Sequence, residues 1–233
     1  MIRRHVLMMA AFVMMVLTTA AFAADQYQWK LDESKDNCQI YTSAVAGKDY
    51  IAAKTTCVIP ARIEVLGTIL RDIENYPKWM EDCKETKILK TIDDANDVFI
   101  FWFRQHVTLL KDRDMVLKSK VLINTPPGTN LVYADSTHEM DYDSGKGYVR
   151  MPSFSSLFTL EWVDREHTRV TFMINPDLGP GVPVGIANMT IKKIPFKTLR
   201  NMAEMAKEKK YIEAAKTSKY FKLAEEHAQR LQK

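Results

Sequence analysis

The hydrophobic positions of this chain change period once. Between Met115 and Ile174 they alternate. Met115, Leu117, Val121 and Ile123 share one face with Ser119, while Lys118 and Lys120 take the other. Phe158, Leu160 and Trp162 alternate again, and so do Val170, Phe172 and Ile174. From Val184 to Leu231 helix formers dominate, and Ile191, Ile194, Leu199, Met202 and Met205 make a stripe at helical spacing. Pro195 falls within that stretch, where a proline removes one backbone hydrogen bond and predicts a kink. An earlier helix is predicted from Pro60 to Ile73, with Ile63, Leu66, Ile69, Leu70 and Ile73 on one face. Strands are expected at Thr86–Thr91, Val98–Phe103, Leu131–Met140 and Gly147–Pro152, with a turn at Asn124–Asn130. Trp29–Glu33 reads as a short amphipathic opening segment, with a helical turn as the candidate. Strands and helices are segregated, so the fold class is α+β: a curved antiparallel sheet with a long C-terminal helix across its concave face.

Val98–Phe103, VFIFWF, is apolar at every position. Such a strand has both faces covered, one of them by a core or by a ligand cavity. The inward set is either Phe101 and Phe103 or Ile100 and Trp102.

Glycine and proline are scarce, 8 and 9 in 233 residues, yet three glycines and two prolines fall between Asp177 and Asn188. Glycine permits positive φ and proline fixes a bend, so this segment is a stiff strand-to-helix corner with a few permissive joints. It is either a lid or a tight turn.

The N-terminus changes the expected environment. Arg3 and Arg4 precede an apolar run, Val6–Phe22, and Ala21-Phe22-Ala23 fits a cleavage site. Residues 1–23 are thus expected to be a cleavable signal peptide, leaving 24–233 as one domain that is periplasmic or secreted. Export implies an oxidising compartment. Cys38 and Cys57 flank a hairpin centred between Gly47 and Lys48, where facing positions sum to 95, as these two cysteines do. Facing pairs in a hairpin can be bridged, which predicts a Cys38–Cys57 disulfide and leaves Cys83 odd.

The net charge is +4, or +2 without Arg3 and Arg4, too weak a balance for a nucleic-acid partner. Catalytic and metal-binding spacings are missing. His106, His138, His167 and His227 stand far apart, and no C-x-x-C is present. The sequence calls for no cofactor, no metal and no catalytic residue. Arg113 shares the parity of Met115 and Leu117, and a buried arginine needs a partner or an anionic group. Arg150 raises the same question. Either would hold a ligand's polar head or a structural carboxylate.

These pieces together resemble the START domain family, the steroidogenic-acute-regulatory-related lipid-transfer domains, in an exported bacterial-type version. The resemblance rests on Trp29 with Leu31, Ile40-Tyr41, Asp72, Trp79, Arg113-Asp114, Val149-Arg150, Trp162, Thr168-Arg169-Val170-Thr171, Asp177–Pro183, Asn188 and Pro195. Pro180 departs from the family's usual second glycine. Ser119 stands where some sterol-binding members carry a buried basic residue. The resemblance implies a helix-grip fold whose internal tunnel binds, and possibly transfers, one lipid or other hydrophobic molecule, with the C-terminal helix and the 177–188 loop as its gate. It also implies a monomer with transient membrane-surface contact. The expected ligand-binding wall is Phe101, Phe103, Met115, Leu117, Phe158, Leu160, Trp162, Phe172, Ile191 and Met202, with Arg113 and Arg150 as polar anchors. Two alternatives stand beside it. One is a helix-grip enzyme, cyclase or hydrolase type, using His106, His138 or Glu139. The other is a module that recruits a partner through Lys207–Lys233.

Overall fold

The computed structural model describes residues 27–231 apart from Ser144 and Lys146. The expected signal peptide lies outside the described residues. Ten strands among those described form one sheet: β1 (Lys30–Lys35), β2 (Cys38–Ala44), β3 (Ile51–Ile59), β4 (Cys83–Asp93), β5 (Val98–Gln105), β6 (Arg113–Leu122), β7 (Thr129–Ser136), β8 (Val149–Arg150), β9 (Ser153–Trp162) and β10 (Thr168–Asp177). The order is β1-β2-β3-β10-β9-β7-β6-β5-β4, antiparallel throughout, with β8 pairing parallel to β6. The sheet thus joins an N-terminal half to the last strand through β3 and β10.

Four α-helices occur among the described residues: α1 (Ile63–Arg71), α2 (Val184–Met205), α3 (Lys209–Lys216) and α4 (Lys219–Arg230). A 3₁₀ helix, Ile73–Lys78, continues α1. The apolar stripe of α2 lies against β3 and β10, where small Ala53 lets the helix approach the sheet. The continuous helix expected from Val184 to Leu231 is broken at 206–208 and at 217–218. The apolar stripe of α2 ends at Met205 and Ala206, and the breaks turn Tyr211 and Ala215, then Tyr220, Ala224 and Ala228, into buried positions on α3 and α4, which pack on α1. α2 itself runs unbroken through Pro195.

The β2–β3 hairpin pairs in the expected register, Cys38 opposite Cys57 and Ala44 opposite Ile51. A disulfide joins Cys38 to Cys57. Cys83 is a buried free thiol, and burial pushes its pKa well above the ordinary range, so it packs as a small protonated apolar group. Residues 30–35, partly read as a helical turn, form an edge strand instead, with Leu31 opposite Tyr41. Every position of β1 is exposed, so pairing with β2 sets its conformation and no burial pattern records it.

Both faces of β5 are covered. Phe99, Phe101 and Phe103 point into the main core with α1 and the other strands. Ile100 and Trp102 join Val116 in a second cluster on the outer face, packed with Leu89, Met140, Tyr142 and Tyr148. The Trp102 indole donates to Asp114 Oδ2 at 2.9 Å, which satisfies the buried N–H. This resolves the parity of VFIFWF in favour of Phe101 and Phe103 inside.

Candidate functional site

The inner face of the sheet does not close onto the helices. A cavity remains between β5, β6, β7, β9 and β10 on one side and α1, the 3₁₀ helix and α2 on the other. About 1060 Å³ of space lies outside atoms there, some of it open to solvent, and about 70 Å³ is wide enough for the centre of a water molecule. Most of it is a narrow crevice.

The wall is aromatic and aliphatic. Phe158 of β9 stacks on Phe172 of β10, ring centres 3.9 Å apart and planes 7° from parallel. They face each other in the β9–β10 register, which puts both rings on one face of the sheet. Tyr76 stands edge-on to Phe101 at 6.3 Å, and its hydroxyl donates to the Leu70 carbonyl. Burial pushes that hydroxyl's pKa well above the ordinary tyrosine range, so it remains a neutral donor.

Of the residues expected on the wall, Phe101, Phe103, Met115, Leu117, Phe158, Leu160 and Phe172 line the cavity. Five do not. Ile191 and Met202 are fully buried where α2 meets the sheet, and Ile194 is the α2 residue that reaches the cavity. Trp162 lies one step past the lining end of β9, edge-on to the His227 ring at 5.4 Å.

The two arginines are fastened elsewhere. Arg113 is buried, and its guanidinium donates to the carbonyls of Leu178 at 3.1 Å, Pro180 at 3.0 Å and Lys111 at 2.5 Å. It therefore pins the Asp177–Asn188 corner to the start of β6. Arg150 grips Asp114 with two nitrogens, at 3.1 and 2.8 Å, a structural carboxylate on the outer face. The corner has further ties. Tyr50 donates to the Gly179 carbonyl at 3.1 Å, and Asn188 accepts from the Ile51 amide at 3.1 Å. Gly179 and Gly181 have φ of +72° and +79°.

The lining the sequence left unnamed comes from three sources. Phe99 has the parity of Phe101 and was within reach of the pattern. Val132, Ala134, Phe154 and Ser156 follow from strand alternation once the inward face is known. Gly67, Leu70, Tyr76 and Tyr220 come from helices whose docking onto the sheet no local pattern encodes.

Polar groups gather at the two ends. Glu81 and Gln105 lie at one end, near the corner. Arg71, Asp97, Ser119 and Asn130 lie at the other. The Ser119 hydroxyl is satisfied locally: it accepts from the Phe99 amide at 3.0 Å and donates to the Asp97 carbonyl at 3.1 Å. Asp97 is buried and paired with Arg71, and with Lys219 at 2.6 Å. His106 is paired with Asp112 at 2.9 Å, and Glu139 with Lys118 at 2.7 Å; neither they nor His138 line the cavity. No group of three metal-ligating side chains occurs among the described residues, and no described helix is long and apolar enough to cross a membrane.

A curved sheet gripping a long helix around an apolar crevice defines a class, and the comparisons agree with it. The START domain family matches residues 14–211, so the chain belongs to the START domain family. An uncharacterized protein of Pseudomonas aeruginosa is 26% identical over 202 residues, covering 84% of this chain and 97% of that one. The structure of a STAR-related lipid transfer protein from Xanthomonas axonopodis superposes with a TM-score of 0.69 at 22% identity, over 77% of this chain and 99% of that one. Human StAR-related lipid transfer protein 5 gives 0.68 at 15% identity, over 85% and 97%. The fold is the helix-grip fold of these proteins.

Proposed function

We propose that this protein is a carrier: it binds one slender hydrophobic molecule, a lipid or similar compound, in the cavity between the sheet and α2, and moves it between membranes. The observation that carries this reading is the cavity itself, lined largely by phenylalanine, leucine and methionine, with few charged side chains. Burial of apolar ligand surface is worth about 0.8 kcal/mol per methylene. Ten methylenes would supply about 8 kcal/mol before the costs of immobilising the ligand, enough for binding without any ionic contact. The narrowness of the crevice favours a single extended chain over a bulky ligand. The signal-like N-terminus supports a site of action in the periplasm or outside the cell. The 177–188 corner and the start of α2 would yield as ligand enters. Exposed Val184 and Met189 on α2, and Leu109 on the β5–β6 loop, suit brief contact with a membrane surface.

The test is native mass spectrometry of the full chain exported by its own leader, then solvent extraction. One hydrophobic molecule per chain is the expected result. Ala134→Phe, which puts a ring into the cavity, should come out empty while remaining folded. A wild-type protein that carries nothing and takes nothing from phosphatidylcholine vesicles would overturn the proposal.

A further inference from the structure

The family match ends at residue 211, inside α3, so α4 lies wholly beyond it. α4 is nonetheless part of the cavity. Tyr220 lines it at the end where Arg71, Asp97 and Asn130 sit, opposite the 177–188 corner. Its hydroxyl donates to Asp97, and its ring lies against Gly67 of α1, where even a methyl group would come within 3.0 Å. Behind Tyr220 a second hollow opens beneath α4. It holds about 290 Å³ outside atoms, open solvent included, between Leu223 and His227 of α4, Trp162 of β9 and the β6–β7 turn. The Tyr220 ring and the Asn130 amide border both spaces.

The fastenings of α4 differ from those of α2. Its buried side chains are Tyr220 and two alanines, Ala224 and Ala228. Its other ties include Lys219 with buried Asp97 at 2.6 Å, beside Tyr220, and, nearer solvent, Glu225 with Arg62 at 2.7 Å and with Arg165 at 2.9 Å. Two residues, Thr217 and Ser218, join it to α3. An element with little buried apolar area and exposed charged contacts opens at lower cost than the rest of the fold. We infer that the cavity has a second portal beneath α4, with α4 as its door and Tyr220 as its latch. The end of an extended apolar chain passes there when the helix swings about Thr217–Ser218. This rests on the carrier reading, and a door that moves differs from a tyrosine that merely fills space.

The full chain is loaded with NBD-labelled dodecanoic acid, and release into empty phosphatidylcholine vesicles is followed by fluorescence. Tyr220→Cys should speed release about tenfold. Adding Gly67→Cys allows a disulfide between α1 and α4, because a Cβ built on Gly67 lies 3.2 Å from Tyr220 Cγ. The oxidised pair lacks the same ring yet should release at or below the wild-type rate. Equal release by wild type and Tyr220→Cys, or fast release by the oxidised pair, overturns the portal. If wild type takes up no probe, the carrier reading fails and hydrogen exchange decides the door. Amides of 219–230 exchanging together ahead of α2 support it, and exchange only with α2 overturns it.

Discussion

The two ends of the cavity are held shut by different physics. At the 177–188 corner a buried arginine donates to three carbonyls, and Tyr50 and Asn188 add neutral hydrogen bonds. At α4 the ties are one tyrosine, two alanines, one ion pair to buried Asp97 and the ion pairs of Glu225, which water reaches. The corner is rich in glycine and proline, while α4 contains neither. Composition alone would place all the freedom at the corner. The contacts show that its glycines set the path of the chain, while hydrogen bonds decide how tightly it is held.

Breaking the corner should have the largest effect. Arg113→Met leaves three carbonyls without their donor, the Leu178 carbonyl in a buried setting and those of Lys111 and Pro180 partly buried. Hydrogen bonds to charged groups contribute about 1.5–3 kcal/mol each, and the loss should lower stability by about 3 kcal/mol. Urea unfolding measures it through a lowered midpoint. A loss below about 1 kcal/mol would mean that the other ties hold the corner without Arg113.

The glycines give a graded version of the same test. Gly179 and Gly181 both have positive φ, so alanine is strained at either by about 1 kcal/mol. At Gly179 the new methyl would also lie 3.2 Å from Pro152 Cδ, whereas at Gly181 nothing stands within 4 Å. Gly179→Ala should therefore cost about 1–2 kcal/mol, and more than Gly181→Ala. Equal costs would show that Pro152 yields freely and that only the backbone matters.

How far the sequence foretells this arrangement follows the range of the interactions. Strand alternation on β6, β9 and β10 puts Met115, Leu117, Phe158, Leu160 and Phe172 on one face, and that face lines the cavity. The hairpin register is local, so the Cys38–Cys57 pairing was legible too. Ile191 and Met202 mislead because a helical stripe shows which face is buried, not whether it meets a sheet or a void. Ile194, on the same stripe, reaches the void. β1 misleads because an edge strand exposed on both faces carries no alternation. Tyr220 is silent in the sequence. Its place opposite Gly67 depends on two breaks, at 206–208 and 217–218, that re-aim the helices after α2.

The smallest effect separates the two ends most cleanly. Hydrogen bonds from Arg165, then Arg62, hold the Glu225 carboxyl below the ordinary glutamate range. A carboxyl depressed in the folded state contributes stability above its unfolded value, about 4.3, and loses it as pH falls through the folded value. Glu225 is partly exposed, so Glu225→Gln should lower stability by less than about 1 kcal/mol at pH 7. That difference should vanish at an acid pH below the folded value, where the wild-type carboxyl is protonated too. The Arg113→Met difference should not follow this course, because its acceptors are carbonyls that do not titrate. Urea midpoints of the two variants and wild type at both pH values give the comparison. A Glu225→Gln difference that persists unchanged in acid would show that α4 is held by shape at this point, and that charge is not what distinguishes the back of the cavity from its front.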